Sequence, residues 1–518
     1  MSLPSKIKSA SGFKLDLAAN FSGVGWSVLI QIACVPLYLK FLGIEAYGLV
    51  GFYLMLQAIL QVLDFGLSPT MNREMARYSV QPEKAAEARD LVRTLEVGYW
   101  LIGIAIGAII LAAAPVIAAD WIKVGSIPIR TVSHAVMLMG LLSVFQWPLT
   151  LYQGALMGLR RQLLFNSFKI TMVTLSQGGA VLVLWLISPT IGAFLVWQAA
   201  VSCVQVLLIA VLLWKRLPPA DRPARFDLRV VRKIWHFAAG MSGITLIGLA
   251  LSQIDKVVVS KLLPLRMFGY YTLAWSVANG LLAISGAVFN AIFPRMSAQA
   301  VIGDENGIRQ SYHYGSQVMA VLILPFAAVL SLFSFDILRL WTRSSQTATA
   351  AAPILSVLVI GSAVNALLFL PYALQLAFGW TKLSLFAGLL SMVIVIPVMF
   401  PMTEYFGPVG AATVWAVLNI LNILVVVPIM HRRLLPGEVW GYFGDIGLPL
   451  VSALGLAVLC RLIFRDLSSP VMTLAALSIA WLGSLVVAVL AAPRVRSWAL
   501  AQVLNAKLQY VRGVESFS

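Results

Sequence analysis

Apolar residues fill this chain in blocks of roughly 20, long enough to carry a helix across a hydrocarbon core. The blocks lie near 15–40, 44–66, 94–119, 131–157, 166–188, 190–214, 234–262, 266–293, 316–340, 351–378, 382–403, 407–430, 444–464 and 470–490. Charged links, or turns such as Ser188-Pro189 and Phe406-Gly407-Pro408, divide them. Hydrocarbon offers a backbone no partners, so each block must satisfy its own N–H and C=O groups as a helix. The pattern predicts an all-α polytopic membrane protein with about fourteen transmembrane helices. The first block lacks a small-residue cleavage site and reads as a retained span. Between the second and third blocks, Asn72 to Arg93 reads as helical, with Pro82 starting a second piece.

Polar residues inside the blocks fall on single helical faces. Gln57, Gln61 and Asp64 stand at i, i+4, i+7 on the second span. Gln146, Thr150 and Gln153 do so on the fourth, and Gln198, Ser202 and Gln205 on the sixth. The eighth carries Thr272, Ser276 and Asn279, with Asn290 extending that face, and the twelfth carries Trp415, Asn419 and Asn422. Two readings are open. Each stripe taken singly fits helix–helix hydrogen bonding, a common use of such residues in membranes. The set fits a polar cavity for a hydroxyl-rich cargo, because the stripes recur at matching places in the two halves.

Those halves resemble each other. Ala18-Ala19-Asn20-Phe21-Ser22-Gly23 returns as Ala238-Ala239-Gly240-Met241-Ser242-Gly243, and Lys40-Phe41-Leu42 with Tyr47-Gly48 returns as Lys261-Leu262-Leu263 with Phe268-Gly269. Gly158 returns as Gly379, and Gly192 through Trp197 as Gly410 through Trp415. Such self-similarity predicts two pseudo-symmetric six-helix lobes with a substrate site between them, plus two C-terminal helices without a counterpart. The expected division is an N-lobe at 1–214, a basic cytoplasmic link at 215–233, a C-lobe at 234–430, extra spans at 431–490 and a cytoplasmic tail at 491–518. In that tail Leu500, Val503, Leu504 and Leu508 beside Arg496 and Lys507 predict an amphipathic helix.

Composition narrows the partners. The chain is 60% hydrophobic and only 11% charged, against about 25% charged in soluble domains. The 37 Lys and Arg against 20 Asp and Glu give a net charge of +17, but the charges sit in short links, where they meet anionic headgroups rather than nucleic acid. Most lie on the N-terminus, the even-numbered links and the tail, which places both ends in the cytoplasm. Cys34, Cys203 and Cys460 are far apart in apolar runs, and no Cys/His pair has metal spacing. No metal or cofactor is called for, and coupling to a proton or sodium gradient is left open.

The candidate cavity residues are Asn20, Gln57, Gln61, Asp64, Arg73, Asp255, Lys256, Asn279, Asn290 and Arg295. Arg73 and Arg295, near the cytoplasmic mouth, suit a phosphate-bearing cargo, and both also satisfy the positive-inside rule. Asp255 and Lys256 are sequence neighbours, expected to point apart on a helix, with Asp255 reaching Lys261 or a neighbouring helix and Lys256 reaching the cavity.

The run Asp255-Lys256-Val257-Val258-Val259-Ser260-Lys261-Leu262-Leu263, then Gly269-Tyr270-Tyr271 and Ala274, resembles a signature of the polysaccharide-transporter family, the Wzx-type flippases of lipopolysaccharide and capsule assembly. Phe293-Pro294-Arg295, Tyr47-Gly48 and Asp64-Phe65-Gly66-Leu67 resemble further family segments. Lys256 stands where Arg is commoner, and Leu263-Pro264 where Leu-Gly is usual. The resemblance implies membership of the multidrug/oligosaccharidyl-lipid/polysaccharide exporter superfamily, whose members work by alternating access. It implies no enzyme activity and a cargo of undecaprenyl-diphosphate-linked oligosaccharide, moved from the cytoplasmic to the periplasmic leaflet of the bacterial inner membrane. Membrane lipids and the polymerase and glycosyltransferases of surface-polysaccharide assembly are the expected partners, with no nucleic acid. The competing readings are a cation-coupled drug exporter, a lipid II flippase, and a membrane glycosyltransferase acting as polymerase or ligase.

Overall fold

In the computed structural model the apolar blocks are helices wherever they are described. The structure describes the backbone of residues 10–62, 64, 66–465, 469–498 and 501, with side chains for these except 10–24, 62, 82, 228 and 230–245. Asn20 and most of the expected tail lie outside the described side chains. The chain divides into two compact units, Met1–Gly269 and Tyr270–Ser518.

The first unit holds α1 (Ala10–Val62), α2 (Leu67–Tyr78), α3 (Ala85–Val116), α4 (Ile129–Gly158), α5 (Gln162–Leu186), α6 (Ile191–Arg216) and α7 (Leu228–Leu262). A fourteen-residue helix, α8 (Leu265–Ala278), begins in it. The second unit holds α9 (Gly280–Val301), α10 (Glu305–Leu332), α11 (Ser334–Thr342), α12 (Ser345–Leu367), α13 (Phe369–Ala377), α14 (Lys382–Leu434), α15 (Val439–Ile463) and α16 (Pro470–Ala491). Among the described residues eleven helices are long and apolar enough to cross a membrane. The expected first and second spans share α1, broken at Gly43 (φ 76°, ψ 168°). The eleventh and twelfth share α14, broken at Gly407 (φ 61°, ψ −147°). Both breaks need a left-handed φ that only glycine adopts without strain. The link after the second span is helical as expected, as α2 and a turn at Pro82–Lys84 that leads into α3.

Close packing in the first unit rests on missing side chains. A Cβ on Gly154 would lie 2.5 Å from the Ser68 carbonyl oxygen, and one on Gly158 2.3 Å from that of Asn72. These glycines, four residues apart on α4, let the backbone of α2 lie directly against it, which is how small residues drive helix contact where lipid gives no hydrophobic force.

The seventh span, which the repeat assigns to the second half, packs on α1, α2 and α3 in the first unit. Its C-terminal end is sewn to the turn after α3. Trp121 Nε1 donates to Ser260 Oγ at 3.1 Å, Lys261 Nζ to the Asp120 carbonyl at 2.5 Å, and Lys123 Nζ to the Leu262 carbonyl at 2.7 Å.

Candidate functional site

Asp64 sits in the break between α1 and α2, just before the left-handed Gly66 (φ 74°) that starts α2. Its carboxylate accepts from the Ser68 amide at 3.1 Å and Ser68 Oγ at 2.8 Å, so it lies against the positive N-terminal end of α2. It also accepts from the Tyr99 hydroxyl of α3 and from Thr150 Oγ1 of α4 at 3.4 Å. Three helices thus converge on one carboxylate. Gln57, two turns earlier, is half-buried and donates to Ser143 Oγ of α4 at 3.4 Å. Gln61 is exposed. Arg73 is half-exposed, with Nε 3.7 Å from the largely buried Glu74, which also pairs with Arg77 at 3.1 Å.

Asp255 and Lys256 depart from expectation. They do not point apart: Lys256 Nζ lies 3.2 Å from Asp255 Oδ1 and donates to the Ser252 carbonyl at 2.8 Å. Both side chains are at least nine-tenths buried. The four-carbon stem lets the ammonium turn back along α7, and burial favours a paired over an unpaired charge.

In the second unit Asn279 occupies the junction of α8 and α9, in the middle of the apolar stretch Leu265–Val301. It is exposed, as are Asn290 and Arg295. Asn279 and Asn290 are about three turns apart and share a face. Beside them, Phe289 stacks on Phe293 at 5.2 Å and on Tyr372 at 6.3 Å.

The stripes therefore divide. Gln146 donates to the Tyr53 hydroxyl at 2.5 Å and to Ser202 Oγ at 3.2 Å, joining the fourth, second and sixth spans. Ser176 donates to Gln198 at 2.6 Å, and Asn365 to Asn419 at 2.8 Å. These are interhelical hydrogen bonds, and with Gln57 they follow the helix-packing reading. Gln61, Asn279, Asn290, Arg73 and Arg295 present polar groups outward. An amide exposed within an apolar span is tolerated beside water or cargo and is costly beside lipid.

Sequence reasoning missed two clusters. In the first, Asp90 of α3 takes a two-point contact from Arg222 and accepts from the Arg225 amide at 2.7 Å, while Thr94 accepts from the Asp227 amide at 3.0 Å. The link Leu217–Asp227 is thereby strapped along α3, and Arg89 and Arg93 both lie over the Trp214 ring, 5.6 and 5.4 Å from its centroid. The Asp90 contact raises the Arg222 pKa further above its ordinary value. Hydrogen bonds from the Arg229 side chain and amide hold Asp227 below the usual carboxylate range. In the second cluster, buried His313 of α10 stands between Glu438 and Asp445. Acidic residues are rare in this chain, and those at 90, 438 and 445 beside basic links were the readable signal.

Set beside known proteins, this architecture has relatives. A lipid II flippase, MurJ, in an inward closed conformation shares the fold with a TM-score of 0.66 at 14% identity, covering 92% of this chain and 98% of that one. An inward-facing multidrug resistance MATE family transporter of the MOP superfamily gives a TM-score of 0.64 at 14% identity, covering 79% of this chain and 96% of the other. In sequence, a "Putative O-antigen transporter" of Shigella flexneri is 25% identical over 200 residues, which is 39% of this chain. The chain spans about half the length of that curated relative, 47% of it. The model of a family described as polysaccharide biosynthesis protein matches residues 39–346, more than half of the sequence. The chain is a multi-pass membrane protein that belongs to this polysaccharide biosynthesis protein family.

Proposed function

We propose that the protein is a flippase carrying a polyprenyl-diphosphate-linked oligosaccharide from the cytoplasmic to the periplasmic leaflet, for surface-polysaccharide assembly. The observation that carries this reading is the exposure of Asn279 and Asn290 within a helix pair apolar enough to cross a membrane. Each buried hydroxyl of a sugar head costs about 2–7 kcal/mol in hydrocarbon, so the head crosses only where such groups replace water. The lipid tail stays in the bilayer. The family, the O-antigen transporter relative and the flippase fold support the same cargo class.

Under this reading the chain crosses the bacterial inner membrane about fourteen times, with both ends cytoplasmic. It works by alternating access of two six-helix lobes, and its role is transport rather than glycosyl transfer. Asn20, Gln61, Asn279 and Asn290 contact sugar hydroxyls. Arg73 and Arg295 meet the diphosphate. Gln57, Asp64, Asp255 and Lys256 hold the helices that present them. The partners are the membrane, the polymerase and the glycosyltransferases that build the cargo.

Deleting the gene in a strain without a paralogue should trap lipid-linked repeat units on the cytoplasmic leaflet and deplete surface glycan. Normal surface glycan in that strain, or drug sensitivity with no glycan defect, would oppose the reading. Elongation of glycan by the purified protein would replace it with a transferase.

A further inference from the structure

Lys169 and Lys256 both stand well inside long helices, and the structure treats them differently. Lys256 closes on Asp255 of its own helix. Lys169, seven residues after α5 begins at Gln162, has no hydrogen-bond, ion-pair or ring partner among the described residues. The described side chains of α1, α4 and α6, the helices packed on α5, include one carboxylate, Glu45. It is taken up by the Gly125 amide at 2.6 Å and the Ser126 amide at 3.1 Å. A lysine on a lipid-facing side reaches along its stem to the headgroups. Lys169 instead shares a face of α5 with Phe165, Asn166, Met172 and Ala180, all buried, while it is itself partly exposed. An intramembrane cation that faces the bundle interior calls for an anion or water there.

The bond from Ser176 to Gln198 at 2.6 Å fixes the level of α5 against α6. The two helices are joined by the short turn at Ile187–Thr190, so they run antiparallel. Lys169 stands seven residues before Ser176, and Gln205 seven residues after Gln198. Seven residues are two turns, about 10 Å along either helix and back to the same face. Lys169 and Gln205 therefore stand at one level, on the facing sides of adjacent helices. Gln205 is the member of the sixth-span stripe that packing leaves over. Gln198 bonds Ser176 and Ser202 bonds Gln146, whereas Gln205 is partly exposed and has no hydrogen-bond partner among the described residues.

We propose that Lys169, with Gln205 opposite it, is an oxyanion site within the first unit that takes a phosphate of the lipid-linked cargo's diphosphate. The proposal rests on the transport reading and deepens it. A phosphate oxygen only accepts, while an ammonium brings three N–H donors and an amide two. Lysine serves such a group as a point charge and does not fix its orientation, which suits a ligand held in passing. Under the transport reading the start of α5 is its cytoplasmic end, so Lys169 lies about 10 Å inward from it. Arg73, half-exposed on α2, meets the diphosphate at the mouth. Lys169 receives it further in, where hydrocarbon would otherwise bar a charged group.

The test uses full-length protein in nanodiscs of zwitterionic lipid and a probe without sugar, polyprenyl diphosphate, beside the matching polyprenyl alcohol. Wild-type protein should bind the diphosphate in preference to the alcohol. Lys169→Met should weaken diphosphate binding about tenfold or more, leave the alcohol unchanged and keep the unfolding temperature. Lys169→Arg, which keeps the charge, should restore most of the loss. Equal binding of the diphosphate by wild type and Lys169→Met overturns the site. Failure of both Lys169→Met and Lys169→Gln to fold also overturns it, because the ammonium is then a packing group. Inorganic diphosphate that competes as well as the lipid-linked form overturns the assignment to the cargo. The sugar-free probe keeps the two readings apart. Lys169-dependent diphosphate binding supports the site even where glycan transport fails, and glycan transport with no such dependence counts against the site alone.

Discussion

At Gly158 a single hydrogen atom decides the packing of α2 on α4. Gly158→Ala places a methyl group 2.3 Å from the Asn72 carbonyl oxygen, and backbone cannot yield as a side chain tip does. Overpacking of this kind costs about 1–3 kcal/mol, so the unfolding temperature in detergent should fall by several degrees. Gly455→Ala, where nothing lies within 4 Å, should leave it unchanged or raise it slightly. The polar stripes make a second contrast. Gln146→Leu strips partners from Tyr53 and Ser202 and should cost about 0.6–1.7 kcal/mol of stability. Asn290→Leu removes an exposed amide, so stability should stay within about 0.5 kcal/mol while transport falls. If Asn290→Leu instead unfolds the protein and transports normally per folded molecule, its amide belongs to packing. Which stripe residue does which task was not legible from spacing. Gln57, Gln61 and Asp64 share one face, but the first and last are tied to α4 or α2 while Gln61 looks outward.

Among the elements, the basic link has the most surprising environment. Sequence reads 215–233 as the natural joint between lobes, because basic charge concentrates where the repeat divides. In the structure it is strapped, as far as Asp227, to α3 by Asp90 and Thr94. Asp90→Asn should loosen that strap, and trypsin should then cut after Arg225, whose amide Asp90 holds, several-fold faster at neutral pH. An unchanged cleavage rate would show that the link is held by other contacts. Acid should act similarly on the cap of α7. Asp227 has a lowered pKa through its hydrogen bonds to Arg229, so its contribution is fully present above the ordinary carboxylate pKa. It is lost only as pH falls through the lowered value. Hydrogen exchange at the start of α7, corrected for intrinsic rates, should therefore stay constant from neutral down to about pH 4 and rise below it.

For the molecule as a whole, the helices, their approximate ends and the family were legible in the sequence. Apolar length fixes a membrane helix almost alone, because the backbone has no other partner in lipid. The Gly43 and Gly407 breaks coincide with expected ends of spans for the same reason that glycine permits them. Contacts between distant segments were not legible. Nothing in a linear pattern says that α7 is sewn to the turn at Asp120–Lys123, or that Lys256 turns back onto Asp255. The account's central claim, movement of a lipid-linked sugar, is tested most directly in proteoliposomes loaded with a polyprenyl-diphosphate oligosaccharide. Access of an external glycosidase to the inner-leaflet pool is then measured over time. The account predicts protein-dependent access to that pool, reduced several-fold in Asn279→Leu/Asn290→Leu protein of unchanged stability. Access no faster than in protein-free vesicles, with the wild-type protein shown to be folded, would contradict it.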